Sequence, residues 1–271
     1  MEEHDATSPA SAEQAPAAEG GPQFKARSGL ASDPASRLES PVDELVGAAL
    51  TLARSFAAGA TMWCVAPEWP AHGRHVAVEF VHPVIVGKRA LPAMSVDGAD
   101  LIGTVRSLAR PGDVLLAVGT ADGAPTGRLL RHAEAWGLTR LWIGAGRRPD
   151  PGLAEHVVWL EEADPAVAAR SGDLVMLYHL LWELTHVVFE HPGLLVAPEG
   201  CTDEVCITCS DEGRVGEVTA VGDGGNAEVV IEGRCETVDI SLVEPVGKGG
   251  LILVHAGVAL GTLDADPEGA E

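Results

Sequence analysis

Residues 113 to 143 read DVLLAVGTADGAPTGRLLRHAEAWGLTRLWI, and this stretch decides the fold of the first part of the chain. It begins with a continuous apolar run at Asp113–Val118, which predicts a strand buried on both faces. A glycine-containing loop follows, and then a helix over about Pro125–Trp136 that Gly137 ends. The next predicted strand is Leu141–Ile143. Because buried strands alternate with helices here, we expect a parallel sheet covered on both faces.

The same alternation extends on both sides of this stretch. Short apolar runs at Thr61–Val65 and Val157–Leu160 read as further strands. Helical periodicity is present over Gly73–Val81 and over the Leu-rich segment Gly172–Glu190. Together these elements predict a doubly wound α/β domain over residues 39–196.

The two ends of the chain differ from this domain. Residues 1–38 are rich in Ala, Pro, Ser, Glu and Gly without an apolar period, so we expect a disordered leader. Residues 197–271 show short alternating or apolar runs at Thr237–Leu242 and Leu251–Val254, with a turn cluster at Gly222–Gly225. This pattern predicts a small all-β barrel of about five strands.

The chain is strongly acidic, with 18 Lys and Arg against 40 Asp and Glu and a formal net charge of −22. A surface of this sign repels phosphate backbones and anionic lipids, so binding to nucleic acid or to a membrane is not expected. No apolar run reaches the roughly 18–20 residues of a bilayer span, and the N-terminus lacks the features of a secretory signal. A cytoplasmic location is therefore expected.

Five cysteines make an odd count, and in a reducing compartment they favour thiol or metal chemistry over a disulfide framework. The pair Cys206 and Cys209 offers soft ligands for iron, copper or zinc, and His255 would complete or tune such a site. Two packed thiols and an ordinary barrel histidine are an equally good interpretation. Cys235 falls in a predicted strand and is expected to be a small buried side chain. The remaining cysteines are Cys64 and Cys201.

A second group of candidate ligands lies in the α/β part. His75 and Glu79 are four residues apart on one predicted helix, so the imidazole and the carboxylate share a face. His179, Glu183 and His186 follow each other at spacings of four and three on a later helix. Such groups are either metal ligands or solvated surface pairs, and the spacing alone does not decide between them.

Residues 206–263 resemble the HypC/HupF family of hydrogenase-maturation chaperones. In that family a leading cysteine and a histidine in a Leu-Val-His-Ala-Gly segment serve an iron that carries cyanide and carbon monoxide. The resemblance implies that Cys206 is the iron ligand and His255 its helper. Cys201 and Cys209 are either additional thiol ligands or take no part in the site. Family members place this cysteine directly after the initiator Met, whereas Cys206 is internal. The matching blocks are Gly213–Val218, Ala227–Val229, Val238–Val243, Val246–Gly247 and Leu253–Ala259.

The same resemblance implies the partners. Members of the family work with HypD and deliver the iron fragment to the apo large subunit of a [NiFe] hydrogenase. Iron is therefore expected as a transient cargo, with zinc as a further candidate metal.

Residues 42–194 are similar to a SIS (sugar isomerase) domain of the phosphoheptose isomerase type, which implies a flavodoxin-like fold and a homodimer. Those isomerases hold zinc with a His, a Glu four residues on, a Gln and a late-helix His. His75, Glu79 and His179 fall on three of these positions, and Ser171 stands at the fourth. The matching stretches are His75–Phe80, Leu91–Asp97, Gly112–Thr120 and Val175–Leu180.

The loop Thr120–Thr126 departs from what a sugar-phosphate site needs. Hydroxyls and backbone N–H groups at a helix N-terminus bind phosphate, but Asp122 adds a negative charge and Pro125 removes a donor. We therefore expect a SIS fold without isomerase activity, combined with an OB-like barrel.

Three hypotheses remain. The first, which this loop favours, is a non-catalytic maturation chaperone in which the SIS-like domain provides dimerisation or docking. The second is a metal-dependent isomerase or a protein that binds a sugar phosphate or similar carbohydrate derivative. The third is a module stabilised by a structural zinc at Cys201, Cys206, Cys209 and His255.

Overall fold

The structure is a computed structural model that describes residues 41–196 and 213–263. The first range alternates helices with strands. Its helices are α1 (Val42–Ala57), α2 (Pro70–Val81), α3 (Leu101–Leu108), α4 (Ala124–Ala135), α5 (Pro165–Ser171) and α6 (Asp173–Glu190). Its strands are β1 (Met62–Val65), β2 (Ala93–Ser95), β3 (Val114–Gly119), β4 (Thr139–Ala145) and β5 (His156–Leu160).

These five strands form one parallel sheet in the order β2-β1-β3-β4-β5. The chain runs from β1 outward to β2 and then returns to the other side of β1 to form β3. The direction of winding therefore reverses between β1 and β3. In doubly wound sheets a crevice opens at the carboxyl ends of the two strands that flank this switch point.

Apolar layers cover both faces of the sheet. In β3, Val114, Leu116 and Val118 pack with side chains of α1, α2 and α6. The intervening Leu115 and Ala117 pack on the other face with α3 and α4. All six residues of β3 are buried, which explains why its sequence is apolar throughout instead of alternating.

Residues 213–263 contain a closed five-stranded barrel in the order β10-β8-β7-β6-β9. Neighbouring strands pair antiparallel, except that β8 and β10 meet in parallel through the single pair Asp239 and Val258. A tight turn joins β9 to β10, and both of its residues, Ala256 and Gly257, have positive φ. The strands are β6 (Arg214–Val221), β7 (Asn226–Ile231), β8 (Arg234–Asp239), β9 (Leu251–His255) and β10 (Val258–Thr262).

The barrel packs directly against the α/β part. Glu217 of β6 is 8% exposed and accepts hydrogen bonds from Nε1 of Trp136 and from Nε of Arg106, the latter at 2.9 Å. The Gly233 N–H donates to the carbonyl oxygen of Ala135 at 2.9 Å. Leu251 of β9 is fully buried in the apolar layer that contains α3 and α4. All described residues accordingly fall within one compact unit.

The predicted fold class, a doubly wound parallel α/β domain followed by a small all-β barrel, is confirmed. Three short elements, β2, α3 and α5, were not predicted from the sequence. The predicted strand Thr237–Leu242 is wrong at its end, because β8 stops at Asp239. Beyond it the Ile240 N–H donates to the Gly225 carbonyl at 2.7 Å, and the chain turns.

The prediction that Cys235 is a small buried side chain is wrong. Cys235 lies in β8, as predicted, but it is exposed and not buried. The Cys235 side chain lies on the outer side of the barrel wall. Together with Arg106 and Trp136 it lines a cavity of about 210 Å³.

Other predictions fall outside the described residues. These are the leader at residues 1–38 and the sites at Cys201, Cys206 and Cys209. The domain boundary near residue 196 stays a prediction. No helix in residues 41–196 or 213–263 is long and apolar enough to cross a membrane.

Candidate functional site

Helices α2 and α6 bring three potential metal ligands together. His75 and Glu79 lie one turn apart on α2, and Nε2 of His75 is 3.1 Å from Oε1 of Glu79. His179 lies on α6, and its Nε2 is 3.5 Å from the same oxygen. Within residues 41–196 and 213–263, this is the one group of three or more His, Cys, Asp or Glu whose ligand atoms all lie within 4.8 Å of one another.

The separations fit a tetrahedral metal. Zinc bound to imidazole nitrogen and carboxylate oxygen at about 2.0–2.2 Å requires neighbouring donor atoms to be about 3.3–3.6 Å apart. The two separations of 3.1 and 3.5 Å lie close to this range. Two imidazoles and one carboxylate are also a donor set that zinc prefers. The three residues therefore fit the metal that the SIS resemblance implies.

His179 supplies a further indication. Its Nε2 is buried and has no hydrogen-bond partner within the described part of the chain, because the contact with Glu79 at 3.5 Å lacks hydrogen-bond geometry. A buried polar atom without a partner is rare in folded proteins and calls for an explanation. A metal ion bound by Nε2 would provide one.

Solvent reaches the group from one side. The side chains of His75 and His179 are 40% and 44% exposed, whereas that of Glu79 is 23% exposed. Three protein ligands with an accessible side are typical of a site that keeps a coordination position open for water or substrate.

The hydroxyl of Tyr178 extends this group of polar side chains toward the protein interior. This hydroxyl lies 2.8 Å from Nδ1 of His75 and 3.4 Å from Nδ1 of His72. Nε2 of His72 lies 3.0 Å from the carbonyl oxygen of Ala169. Burial, and secondarily the charge of Glu79, raises the pKa of the Tyr178 phenol, so the hydroxyl stays protonated at neutral pH.

These contacts allow either tautomer of His75. Without a metal, Nε2–H of His75 can donate to Oε1 of Glu79 at 3.1 Å while the Tyr178 hydroxyl donates to Nδ1. A carbonyl oxygen only accepts, so His72 donates from Nε2 and its Nδ1 can accept from the hydroxyl of Tyr178. With a metal on Nε2 of His75, the oxygen of Tyr178 would accept from Nδ1–H of His75 at 2.8 Å. The Tyr178 contact is therefore compatible with the tautomer whose lone pair on Nε2 faces Glu79 and His179.

The other predicted side chains of these helices have structural contacts. Ser171 ends α5, and its hydroxyl bonds the carboxylate of Asp173 at 2.7 Å, away from the cluster. Glu183 pairs with Lys88 at 3.2 Å. His186 is buried, with its two ring nitrogens 2.9 and 3.0 Å from the carbonyl oxygens of Trp182 and Arg89.

His255 ends β9, directly before the turn into β10. Arg214 at the start of β6 pairs with Val254, so the chain enters the barrel beside His255. Cys206 precedes Gly213 by seven residues in the sequence, and such a segment spans at most about 25 Å. The reach permits the predicted pairing of Cys206 with His255, but Cys206 itself lies outside the described residues.

No role of Tyr178 or His72 was predicted from the sequence. Two signals were present, because His72 lies three residues before His75 on the same helical face and Tyr178 directly precedes His179. The packing of α2 against α6, which brings the polar groups of the two helices together, could not be predicted from the sequence.

The barrel matches a known protein family. Residues 212–269, which include the whole closed barrel, match the model of the HupF/HypC family. The barrel is therefore similar to the HupF/HypC family over its whole length. The match begins after Cys206 and Cys209, and it includes His255.

Solved structures resemble the α/β part. A phosphoheptose isomerase from Neisseria gonorrhoeae matches with 14% identity and a TM-score of 0.48, covering 57% of this chain and 92% of that one. One from Francisella tularensis has 12% identity and a TM-score of 0.47, covering 57% and 89%. The sugar isomerase domain of an RpiR transcription factor from Sphaerobacter thermophilus has 15% identity and a TM-score of 0.43, covering 60% and 89%. Among curated proteins, none matches the sequence significantly.

Proposed function

We propose that this chain is a non-catalytic chaperone of [NiFe] hydrogenase maturation. In this proposal the barrel carries iron with cyanide and carbon monoxide ligands, bound through Cys206 and assisted by His255. A HypD-type protein supplies the cargo, and the apo large subunit of the hydrogenase receives it. The α/β part provides docking or dimerisation, and the chaperone acts in the cytoplasm.

The observation that carries the proposal is the family match over the complete barrel. The geometry around His255 supports it, since the histidine is fixed at a strand end beside the point where the chain enters β6. A thiolate is a soft ligand suited to low-spin iron, and a nearby imidazole can hold a proton or a hydrogen bond close to the bound fragment.

The test is anaerobic isolation of the tagged full-length chain from a host that makes a [NiFe] hydrogenase. Bound iron, the infrared bands of iron-bound cyanide and carbon monoxide, and co-purifying proteins are measured. We expect the bands and a maturation partner with the parent chain, and loss of the bands in Cys206→Ala. Cys235→Ala is the matched control, because it removes an exposed thiol from the barrel wall and should keep the bands.

Two results would contradict the proposal. One is a parent chain that, in a host with active maturation, never yields the cyanide and carbon monoxide bands. The other is a Cys206→Ala variant that keeps them. Retention of the bands in Cys206→Ala with loss in Cys209→Ala would move the iron ligand to Cys209.

A second candidate function is favoured by the cluster of His75, Glu79 and His179. It is a metal-dependent activity of the α/β part, such as isomerisation of a sugar or related carbohydrate derivative. Zinc held by these three side chains would act as a Lewis acid on a substrate carbonyl. Tyr178 would orient His75, and the exposed side of the cluster would admit the substrate.

This candidate predicts about one zinc per chain that survives Cys206→Ala and is lost in Glu79→Ala. His82→Gln serves as the control, since it alters an exposed histidine that is not part of the cluster. Metal content is measured after dialysis against a weak chelator. Zinc that disappears in Cys206→Ala instead would support a structural site that includes the cysteines.

A further inference from the structure

One side chain spans the crevice at the switch point between β1 and β3. The loop after β1 contains Glu68, and the loop after β3 contains Thr120. Oε2 of Glu68 accepts a hydrogen bond from the backbone N–H of Thr120 at 3.0 Å. Ligands of doubly wound proteins bind in this crevice. Here a carboxylate of the chain itself joins the two loops.

The backbone is shaped around this carboxylate. Gly123 is the N-cap of α4, and a Cβ at this position would overlap Oε1 of Glu68. A Cβ on Gly119 would lie 3.6 Å from Oε2. The carboxylate therefore lies against both glycines at the N-terminus of a helix of 12 residues. The N–H groups and the dipole of a helix N-terminus attract anions, so Glu68 occupies the position that a bound anion would take.

A second observation is a buried hydroxyl that lies beside the Glu68 carboxylate and is without a hydrogen-bond partner in the described part of the chain. Thr126 is fully buried, and its hydroxyl has no hydrogen-bond partner within the described residues. A Cβ on Gly119 would lie 3.4 Å from this hydroxyl, so the hydroxyl and the carboxylate flank the same point. A buried hydroxyl without a partner is costly, and it is a ready donor to an oxygen that enters the crevice.

We propose that Glu68 is a built-in anion, whose carboxylate occupies an oxyanion site at the N-terminus of α4 and closes the switch-point crevice to phosphate-class ligands. The vacated site would consist of the Thr120 N–H, the N–H groups of Ala124 and Thr126, and the Thr126 hydroxyl, since Pro125 has no N–H to contribute. Because the Glu68 side chain is exposed, it can leave without unfolding of the loops. This inference does not depend on the function proposed for the barrel.

The test is titration of the full-length chain with inorganic phosphate at constant ionic strength. Heat of binding and the amide resonance of Thr120 are followed in the parent chain and in Glu68→Ala. We expect saturable binding in Glu68→Ala with a shift of the Thr120 resonance, and a Kd in the parent that is at least tenfold higher. Adding Thr126→Val to Glu68→Ala should remove most of this gain.

Asp122→Asn is the matched control. It removes one negative charge from the loop after β3 but leaves the bond between Glu68 and Thr120 in place, so it should not create a phosphate site. Equal gains in Asp122→Asn and Glu68→Ala would overturn the inference, because the effect would then be net charge alone. Equal phosphate affinity of the parent and Glu68→Ala, or a folded Glu68→Ala without phosphate affinity, would also overturn it.

Glu68→Ser keeps the inference testable if Glu68→Ala does not fold. The serine keeps a polar side chain in the loop, but it is too short to fill the position of the carboxylate beside the Thr120 N–H. We expect it to bind phosphate more tightly than the parent chain. An affinity equal to that of the parent would count against the built-in anion.

Discussion

At the scale of single residues, the hydroxyl of Tyr178 lies 2.8 Å from Nδ1 of His75 and can hold the ring with Nε2 toward a metal. Outer contacts of this kind change metal affinity by about 10–100-fold. We expect Tyr178→Phe to lower zinc affinity by at least about tenfold, because the ring still fills its buried site but no longer accepts from Nδ1–H of His75. Competition with a chromogenic chelator measures the affinity.

The control for this variant is Met176→Leu, an exposed position on the same helix. It should leave zinc affinity unchanged. A Tyr178→Phe chain that folds and binds zinc as tightly as the parent would show that the hydroxyl does not position His75.

For Thr126 we predict a substitution that stabilises the protein. The buried Thr126 hydroxyl has no partner among the described residues, and such a group costs about 1–3 kcal/mol. Thr126→Val keeps the shape and removes the hydroxyl, so we expect the free energy of unfolding to rise by about 1 kcal/mol. Urea unfolding measures it. A loss of stability would mean that the hydroxyl already has a hydrogen-bond partner in solution.

The residues of the candidate metal site were predictable only in part. The spacing of His75 and Glu79 predicted a shared face, and the SIS resemblance added His179 from a distant helix. Glu68 was not predicted, because an acid in a loop follows no pattern. The sequence indicated Asp122 as the negative charge near α4, whereas the carboxylate that accepts a hydrogen bond from the loop is that of Glu68.

At the scale of elements, strand β4 depends on a glycine. A Cβ on Gly144 would overlap the carbonyl oxygen of Gly119 on β3 and the ring of Trp159 on β5. Overpacking of this kind costs about 1–3 kcal/mol, and since backbone is involved we expect Gly144→Ala to reach the upper end. Thermal and urea unfolding measure the loss.

Gly127 in α4 is the matched control for this substitution, because a Cβ there meets open space. Gly127→Ala should stabilise the helix by about 0.5–1 kcal/mol through its lower backbone entropy. If the two variants had equal stability, the close packing at Gly144 would not be limiting.

The elements themselves were largely predictable where burial made the sequence apolar throughout. β3 and β4 are examples, because both are covered on both faces. The edge strand β2 is three residues long and has one exposed and one half-buried side chain, so it carries no comparable signal. The end of β8 was predicted wrongly because the alternation of apolar and polar residues continues to Leu242. The turn at Ile240 depends on a backbone hydrogen bond to Gly225, which the sequence pattern does not reveal.

At the scale of the whole molecule, the buried carboxylate of Glu217 joins the barrel to the α/β part. Hydrogen bonds to a charged group are worth about 1.5–3 kcal/mol, so Glu217→Gln should lower the free energy of unfolding by about 1–3 kcal/mol. The amide can still accept from Trp136 but no longer carries the charge that pairs with Arg106. Urea unfolding followed by tryptophan fluorescence measures the change.

Glu244→Gln is the control, because it neutralises an exposed acid of the barrel region. It should change stability by less than about 0.5 kcal/mol. Similar stabilities of the two variants would show that the junction does not depend on this charge. The boundary near residue 196 was placed from composition, which does not reveal a junction of this kind.

Leu251 is a barrel residue, yet it is buried in the apolar layer under the parallel sheet. Neither part can therefore be produced alone without exposing a surface that normally has a partner. A fragment ending near residue 196 would present Trp136, which contacts Glu217 in the whole chain, to solvent. A fragment beginning near residue 213 would present Leu251. Both fragments should be less soluble than the whole chain, and mixing them should restore solubility if the shared layer reforms.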